Sequence, residues 1–308
     1  MATTVRVATF NCENLFARYK FKEGIDVKRI SEEGWDINRT SFEPLDPVTR
    51  RITGNAIDAL NADVIALQEV ENLDVLKRFR SKYLGGSKAY PYLVLVDAND
   101  PRLIDVAVMS RHPIIHVRSH QERKESPRKR GFIFSRDCLE LDISFRGGGT
   151  ITLFVNHLKS MMEGRARTRP RREIQAAAVK EIVKERFGPN PGQNPFMILG
   201  DLNDYLETDA NGPSGILEIA GWDQVENVVG RLPADERWTH YYDDGDEYRQ
   251  LDYILVSQAL RQKVKNLEIE RRGLPLRAQR YGGPRFRGVG KHSPKASDHC
   301  AVVVELEV

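Results

Sequence analysis

Acidic, amide and imidazole side chains recur in this chain beside short apolar runs. Asn11 and Glu13 follow Val5 to Phe10, and Glu69 follows Ala62 to Leu67. Asp201 and Asn203 follow Pro195 to Gly200, Asp252 lies in Leu251 to Val256, and Asp298 and His299 stand just before Ala301 to Val308. A short apolar run bounded by turn residues predicts a strand covered on both faces. The end of such a strand holds a side chain in place and leaves it open to solvent. A single strand-end carboxylate is ordinarily a turn residue, but five strand ends of the same chemistry point to one shared site. Oxygen donors of this type suit a hard cation such as Mg²⁺ or Mn²⁺. The cysteines and histidines have no zinc-binding spacing.

The elements that must position these groups follow from periodicity. Val5 to Phe10 alternates as a first strand, and 17–47 reads as a long insertion loop. Ile52, Ala56, Ile57 and Leu60 have helical spacing within Thr49 to Asn61. Asn72 is placed to cap a helix running to Lys82. The middle of the chain predicts strands at Tyr92 to Val96, Val106 to Ser110, Ile114 to Val117, Gly131 to Phe134, Cys138 to Phe145 and Thr150 to Asn156, the last two joined at Gly147-Gly148-Gly149. Ile174, Ala178 and Ile182 predict a helix from about Pro170 to Phe187, with the proline in its first turn. Strands outnumber helices and occur both in hairpins and with helical crossovers. The expectation is α/β, with two mixed β-sheets packed on one another and helices outside, in one domain.

Composition bounds the rest. The chain has 308 residues, 40% hydrophobic and 30% charged, with no run long enough to span a membrane and no basic-then-apolar leader at its start. Cytoplasmic residence and a monomer are the expectations. Cys12, Cys138 and Cys300 lie in apolar segments and read as reduced core thiols. Net charge is only +3, but basic residues cluster: Gly164 to Arg172 holds five arginines and no acid, and Arg271 to Lys295 holds eight cations and no acid. Such clusters suit a polyanion, although any one of them also fits a solvated loop.

The ordered set Asn11-Cys12-Glu13-Asn14-Leu15, Leu67-Gln68-Glu69, Asn156-His157-Leu158, Gly200-Asp201-Leu202-Asn203, Leu251-Asp252-Tyr253-Ile254 and Ser297-Asp298-His299 resembles the endonuclease/exonuclease/phosphatase superfamily. The resemblance spans residues 5 to 307 and implies a four-layer sandwich with a cation-dependent phosphoesterase site. It implies that Glu69 is the principal metal ligand, with Asn11 and Asp298 beside it in the metal shell and Glu13 a further candidate ligand, at a position where relatives often carry a short acid or a neutral residue. Asp201 matches the aspartate that orients or deprotonates the attacking water, and Asn203 the amide that holds a phosphate oxygen. His299 resembles the histidine opposite the scissile phosphate, with Asp252 fixing its tautomer. His157 matches a second histidine of the deoxyribonuclease and sphingomyelinase branches.

The chemistry is coherent without the resemblance. Phosphodiester hydrolysis drives water onto an anion, so cations and hydrogen-bond donors that neutralise the developing charge lower the barrier. A metal and two histidines would supply that charge, and an aspartate near the water would take its proton. His112, His116, His120, His240 and His292 read as structural or surface residues. Trp238 reads as core, although the aromatic run Trp238 to Tyr242 would also suit base stacking. The basic clusters flank the motif segments, so a nuclease is the favoured reading, DNA ahead of RNA, with Lys159, Arg165, Arg167 and Arg169 facing phosphates. Arg136 resembles a substrate-facing arginine of some relatives. A sphingomyelinase-like or small-molecule phosphoesterase is the alternative, and a non-catalytic binding module is the third reading.

Overall fold

The apolar runs alternate between two cores, which is why they are apolar at nearly every position. Val5 and Val7 face one core while Ala8 and Phe10 face another, and Met197 and Leu199 are separated from Phe196 and Ile198 in the same way. A computed structural model describes residues 3–21, 24, 42–44, 46–147 and 149–308. Most of the expected insertion loop at 17–47 lies outside the described residues, as does Gly148.

In chain order the strands are β1 (Thr4–Leu15), β2 (Tyr19–Phe21), β3 (Phe42–Pro44), β4 (Val64–Val70), β5 (Tyr92–Leu95), β6 (Asp105–Ser110), β7 (Ile114–Arg118), β8 (Leu139–Phe145), β9 (Gly149–His157), β10 (Phe196–Asp201), β11 (Val225–Asn227), β12 (His240–Tyr242), β13 (Glu247–Arg249), β14 (Asp252–Ser257), β15 (Val264–Glu270) and β16 (Ala301–Glu307). The longer helices are α1 (Pro47–Leu60), α2 (Leu73–Tyr83) and α3 (Arg165–Phe187). Among the described residues, two six-stranded mixed sheets form, ordered β15-β16-β1-β4-β6-β5 and β11-β14-β10-β9-β8-β7. Val64, Ala66, Leu141, Leu153, Ile254 and Val256 fill the space between the sheets. Ile57, Leu76 and Phe79 of α1 and α2 cover the outer face of the first sheet, and Val179 and Ile182 of α3 cover that of the second. The expected α/β architecture of two packed sheets flanked by helices is therefore present. Asn72 caps α2 as expected, its Oδ1 accepting from the Val75 amide at 2.9 Å.

Strand register brings the candidate residues to one end. β10 pairs parallel to β9 and antiparallel to β14, so Asp201 lies beside His157 on one side and Asp252 on the other. β1 pairs parallel to β4, with Asn11 beside Gln68. Gly200 permits the β9–β10 pairing: its φ is +134°, and a Cβ there would meet the Asn156 carbonyl oxygen at 1.9 Å. Only glycine fits.

Three expectations need correction. Gly131 to Phe134 is not a strand. The backbone groups of Phe132 and Ile133 bond instead to Arg171, Gln175 and Arg123. A strand that sequence periodicity does not announce, β15, forms the edge of the first sheet, where charged outward positions mask its alternation.

The third correction concerns α3, which begins at Arg165, so Pro170 lies inside it and not in its first turn. Tertiary anchoring overrides the local helix-start signal. The buried Asp204 carboxylate accepts from Arg165 Nε at 2.7 Å and Arg172 Nε at 2.9 Å. Arg165 also donates to Asp209 and to the carbonyls of Tyr205 and Glu207, and its guanidinium lies 3.7 Å over the Tyr205 ring. Arg169 bonds the Asn211 carbonyl at 3.1 Å. Thus Arg165 and Arg169 are not free to face phosphates: they tie the first turns of α3 to the loop after β10. Of the three arginines expected at phosphates, only Arg167 is exposed.

Removing Asp204 would leave Arg172, itself fully buried, without its countercharge. Asp204→Ala is expected to lower unfolding stability by about 3–5 kcal/mol, whereas Arg167→Ala should stay within about 0.5 kcal/mol of the parent. Urea unfolding of both variants checks this. Equal midpoints would remove Asp204 from its anchoring role.

Candidate active site

Two backbone irregularities lie at the same level of the first sheet. The β1–β4 ladder breaks between Asn11 and Leu15, and the β4–β6 ladder breaks between Leu67 and Val70. Glu13, Asn14 and Glu69 have φ of 46°, 63° and 63° there. A bulge of this kind re-aims side chains out of the ladder. The Glu69 carboxylate accepts from the Asn14 amide at 2.9 Å and, more loosely, from Asn11 Nδ2 at 3.4 Å. Glu13 is held by Lys295 Nζ at 2.8 Å.

Asp201 forms the floor. It is buried, and accepts from Asn11 Nδ2 at 3.0 Å, Asn203 Nδ2 at 2.9 Å and the Asn203 amide at 2.9 Å. Burial pushes its carboxyl up to about 7, against the opposing charge of His299. His299 Nε2 is 3.8 Å from Asp201 Oδ2, and its Nδ1 is 2.9 Å from Asp252 Oδ2. Burial disfavours a charged His299, but the Asp252 and Asp201 carboxylates outweigh burial and hold its pKa well above the ordinary imidazole value.

His157 is tuned the other way. Its Nε2 is 3.5 Å from Asp201 Oδ2 and 3.8 Å from Glu69 Oε1. Burial, with the Arg136 guanidinium and His299 nearby, pushes its pKa well below the ordinary value. The two histidines therefore face opposite pressures: the Asp252 and Asp201 carboxylates favour a charged His299, whereas burial and nearby cations disfavour charge on His157. Two like groups with divergent environments take different roles.

Asn203 also donates to the Leu158 carbonyl at 3.2 Å. Arg136 donates to the same carbonyl at 2.7 Å and to Asp100 at 3.3 Å. Its side chain is buried, so it supports the His157 segment from behind and does not present a free face to substrate. Lys159 is partly exposed and pairs with Glu163. Asp298 lies at the mouth, 3.8 Å from His240 Nε2.

The structure therefore gathers Asn11, Glu13, Glu69, His157, Asp201, Asn203, Asp252, Asp298 and His299 at one end of the two sheets. Lys159, with Arg136 behind it, borders this group, and Arg165, Arg167 and Arg169 belong to the neighbouring helix. Two contributors carry no signal in the sequence. Thr239 donates its hydroxyl to Asp252 Oδ2 at 2.7 Å and accepts from the Asp252 amide at 2.9 Å. His240, expected to be structural or superficial, pairs by a β-bridge with His299, their rings 4.5 Å apart. Neither position stands out by spacing, because β12 is only three residues long. Trp238 is core, as expected.

A cation fits the donor chemistry. Glu69, Asp298 and Glu13 are the less buried carboxylates, with the Asn11 amide beneath them. Burial and the Asp298 charge push Glu13 up to about 7, a repulsion that added positive charge would relieve. All are hard oxygen donors.

Similarity to known proteins agrees with this geometry. The family model described as "Endonuclease/Exonuclease/phosphatase family" matches residues 6–306. The fold is shared with truncated TDP2 from Caenorhabditis elegans (TM-score 0.59, 19% identity, 99% of this chain and 98% of that one). An endonuclease/exonuclease/phosphatase from Beutenbergia cavernae is similar over 99% of this chain and 72% of that one (TM-score 0.63, 17% identity). The human Nocturnin catalytic domain, solved with a bound sulfate anion, is similar over 98% and 93% (TM-score 0.61, 16% identity). No curated protein matches the chain in sequence. With the family match covering nearly every residue and the acid–amide–histidine cluster at the shared strand ends, the chain belongs to the endonuclease/exonuclease/phosphatase family of divalent-metal-dependent hydrolases acting on phosphoester bonds.

Proposed function

We propose that this protein is a Mg²⁺- or Mn²⁺-dependent nuclease that hydrolyses phosphodiester bonds of DNA. The observation that carries the nucleic-acid reading is the segment 271–295, which runs directly into Asp298 and His299. Several of its cations are committed: Lys295 to Glu13, Arg272 to Glu270, and Arg285 to the carbonyls of Leu274, Ala278 and Tyr281. Arg277, Arg280, Arg287 and Lys291 remain exposed. Arg277 and His292 meet at Asp243, whose neighbour Tyr241 is next in sequence to His240. A row of exposed cations beside a carboxylate mouth suits a polymer with several phosphates better than one isolated headgroup.

Glu69, Asn11 and Asp298 would hold the cation, which would supply Lewis-acid charge to a phosphoryl oxygen. The rest falls to the protein. Asp201, anchored by three donors from Asn11 and Asn203, is placed to orient a water and take its proton. His299, kept charged by Asp252 and aimed by Thr239 through that carboxylate, stabilises the developing negative charge. His157 and Asn203 present neutral donors at the same floor. Among the described residues, no helix is long and apolar enough to cross a membrane.

Supercoiled plasmid, end-labelled single strands, RNA and a choline phospholipid, each with Mg²⁺, Mn²⁺ or chelator, form the decisive panel. DNA cleavage that vanishes with EDTA and returns with either ion is expected. Full turnover in excess EDTA, or cleavage of the phospholipid alone, would refute the reading. Glu69→Gln should raise the metal concentration needed for half-maximal rate. Asp201→Asn and His299→Ala should each lower kcat by on the order of a hundredfold with little change in substrate binding; a change confined to KM would reassign them.

The exposed cations make a separate prediction. Replacing Arg277, Arg287 and Lys291 together by alanine should weaken DNA binding and flatten its salt dependence by roughly 0.7 to 0.9 in logarithmic slope for each phosphate that is no longer neutralised. Hydrolysis of a small phosphodiester should stay near the parent rate. An unchanged salt slope would show that these cations are only solvated surface.

A further inference from the structure

Two imidazoles and a carboxylate converge at the mouth of the site. One ligand atom each from His240, Asp298 and His299 lies within 4.8 Å of the other two. His240 Nε2 is 3.8 Å from Asp298 Oδ2, and His299 Nε2 is 4.0 Å from Asp298 Oδ1. The backbones that carry them are locked together. His240 and His299 face each other across a β-bridge, the Tyr241 amide donates to the Asp298 carbonyl at 2.9 Å, and the Cys300 amide donates to the Thr239 carbonyl at 2.6 Å. The two histidines are distant in sequence, so no spacing announces the cluster.

The donor set differs from the one around Glu69. Carboxylate and amide oxygens suit Mg²⁺ or Mn²⁺, whereas imidazole nitrogens suit zinc. Two donors of a tetrahedral zinc ion lie about 3.4 Å apart when each is about 2.0–2.1 Å from the metal, so each of the two histidine–carboxylate contacts needs to close by only roughly half an ångström. The outer support of a histidine ligand is also in place. Asp252 Oδ2 takes His299 Nδ1 at 2.9 Å and the Thr239 hydroxyl at 2.7 Å, which fixes the ring and leaves Nε2 for a ligand. A carboxylate behind a ligating imidazole orients it and raises its basicity. The proton on Nε2 passes to solvent as the ion takes its place. The side chains of His240 and Asp298 are 15% and 32% exposed, so an ion from solution has access. The adjacent thiol, Cys300, is instead buried with Trp238, Tyr241 and Leu274.

We propose that His240, Asp298 and His299 form an inhibitory metal site that takes Zn²⁺ in preference to Mg²⁺. Zinc there occupies His299 Nε2, so the histidine no longer offers its proton to the developing charge, and it draws Asp298 away from the hard cation. The enzyme is thereby switched off by a metal other than the one it uses. The inhibition rests on the metal-dependent nuclease reading above; the binding of zinc does not.

Zinc binding is measured without turnover. Zn²⁺ is titrated into the full chain in saturating Mg²⁺ against a chromophoric zinc chelator, and the zinc-loaded protein is measured by X-ray absorption at the zinc edge. Zinc uptake that Mg²⁺ does not prevent, with two imidazole nitrogens in the zinc shell, is expected. His240→Gln should weaken uptake by roughly tenfold or more and raise by the same factor the Zn²⁺ concentration that halves its own cleavage rate. Glu69→Gln and Cys300→Ser should each keep the parent's zinc affinity. No uptake in Mg²⁺, unchanged affinity in His240→Gln, loss of zinc in Glu69→Gln or Cys300→Ser, or a shell with fewer than two imidazoles would each overturn the proposal. Should His240→Gln not fold, the zinc-edge spectrum of the parent and the Glu69→Gln affinity decide it. A parent that binds zinc through these residues yet cleaves no DNA in Mg²⁺ or Mn²⁺ would uphold the site and refute the nuclease reading instead.

Discussion

The close approach of Gly200 to the Asn156 carbonyl is the interaction on which the site depends. It allows β10 to lie parallel against β9 at a position where any side chain would collide with the neighbouring backbone. From that register Asp201 falls beside His157, and because β10 also pairs with β14, Asp252 falls on its other side. The distances among these three groups follow from hydrogen-bond ladders and not from flexible loops. Preorganisation of this kind spares the side chains a reorganisation cost when charge develops.

Electrostatic differentiation follows from where each strand end sits. Asp201, Asp252 and His157 lie on the floor, out of water, while Glu69, Asp298 and Glu13 lie nearer the mouth. Burial alone would neutralise every charged group on the floor. His299 escapes because the Asp252 and Asp201 carboxylates outweigh its burial and raise its pKa. His157 is more deeply buried and has the Arg136 guanidinium and His299 nearby, which push its pKa well below the ordinary value. Two identical side chains at one site thus differ by what surrounds them.

The arginines after His157 illustrate how a cluster of charge can be structural. Arg165 and Arg172 converge on the single carboxylate of Asp204, and that carboxylate belongs to the same loop as Asp201 and Asn203. The cluster therefore ties α3 to the loop that follows Asp201. The more exposed cations lie instead in segment 271–295, at Arg277, Arg280, Arg287 and Lys291.

Much of this was legible in the sequence. Strand ends bearing acids, the helix cap at Asn72 and the order of the motifs are local properties, and apolar runs or turn residues report them directly. The start of α3 was not legible, because the buried ion pair between Arg165 and Asp204, 39 positions away, outcompetes the local proline signal. Nor was β15, whose alternation is diluted by charges at a sheet edge. Within the site, residue types near strand ends announced the candidates, but which histidine carries charge depends on burial and neighbours distant in sequence. His240, Thr239 and Lys295 came from segments with no periodic signature, and entered only when the β12–His299 bridge and the Ser297–Asn11 hydrogen bond closed the chain on itself. Sequence determined the identity of the chemical groups because side-chain type is a local property; tertiary structure decided their protonation, partners and access, since those depend on distance through space.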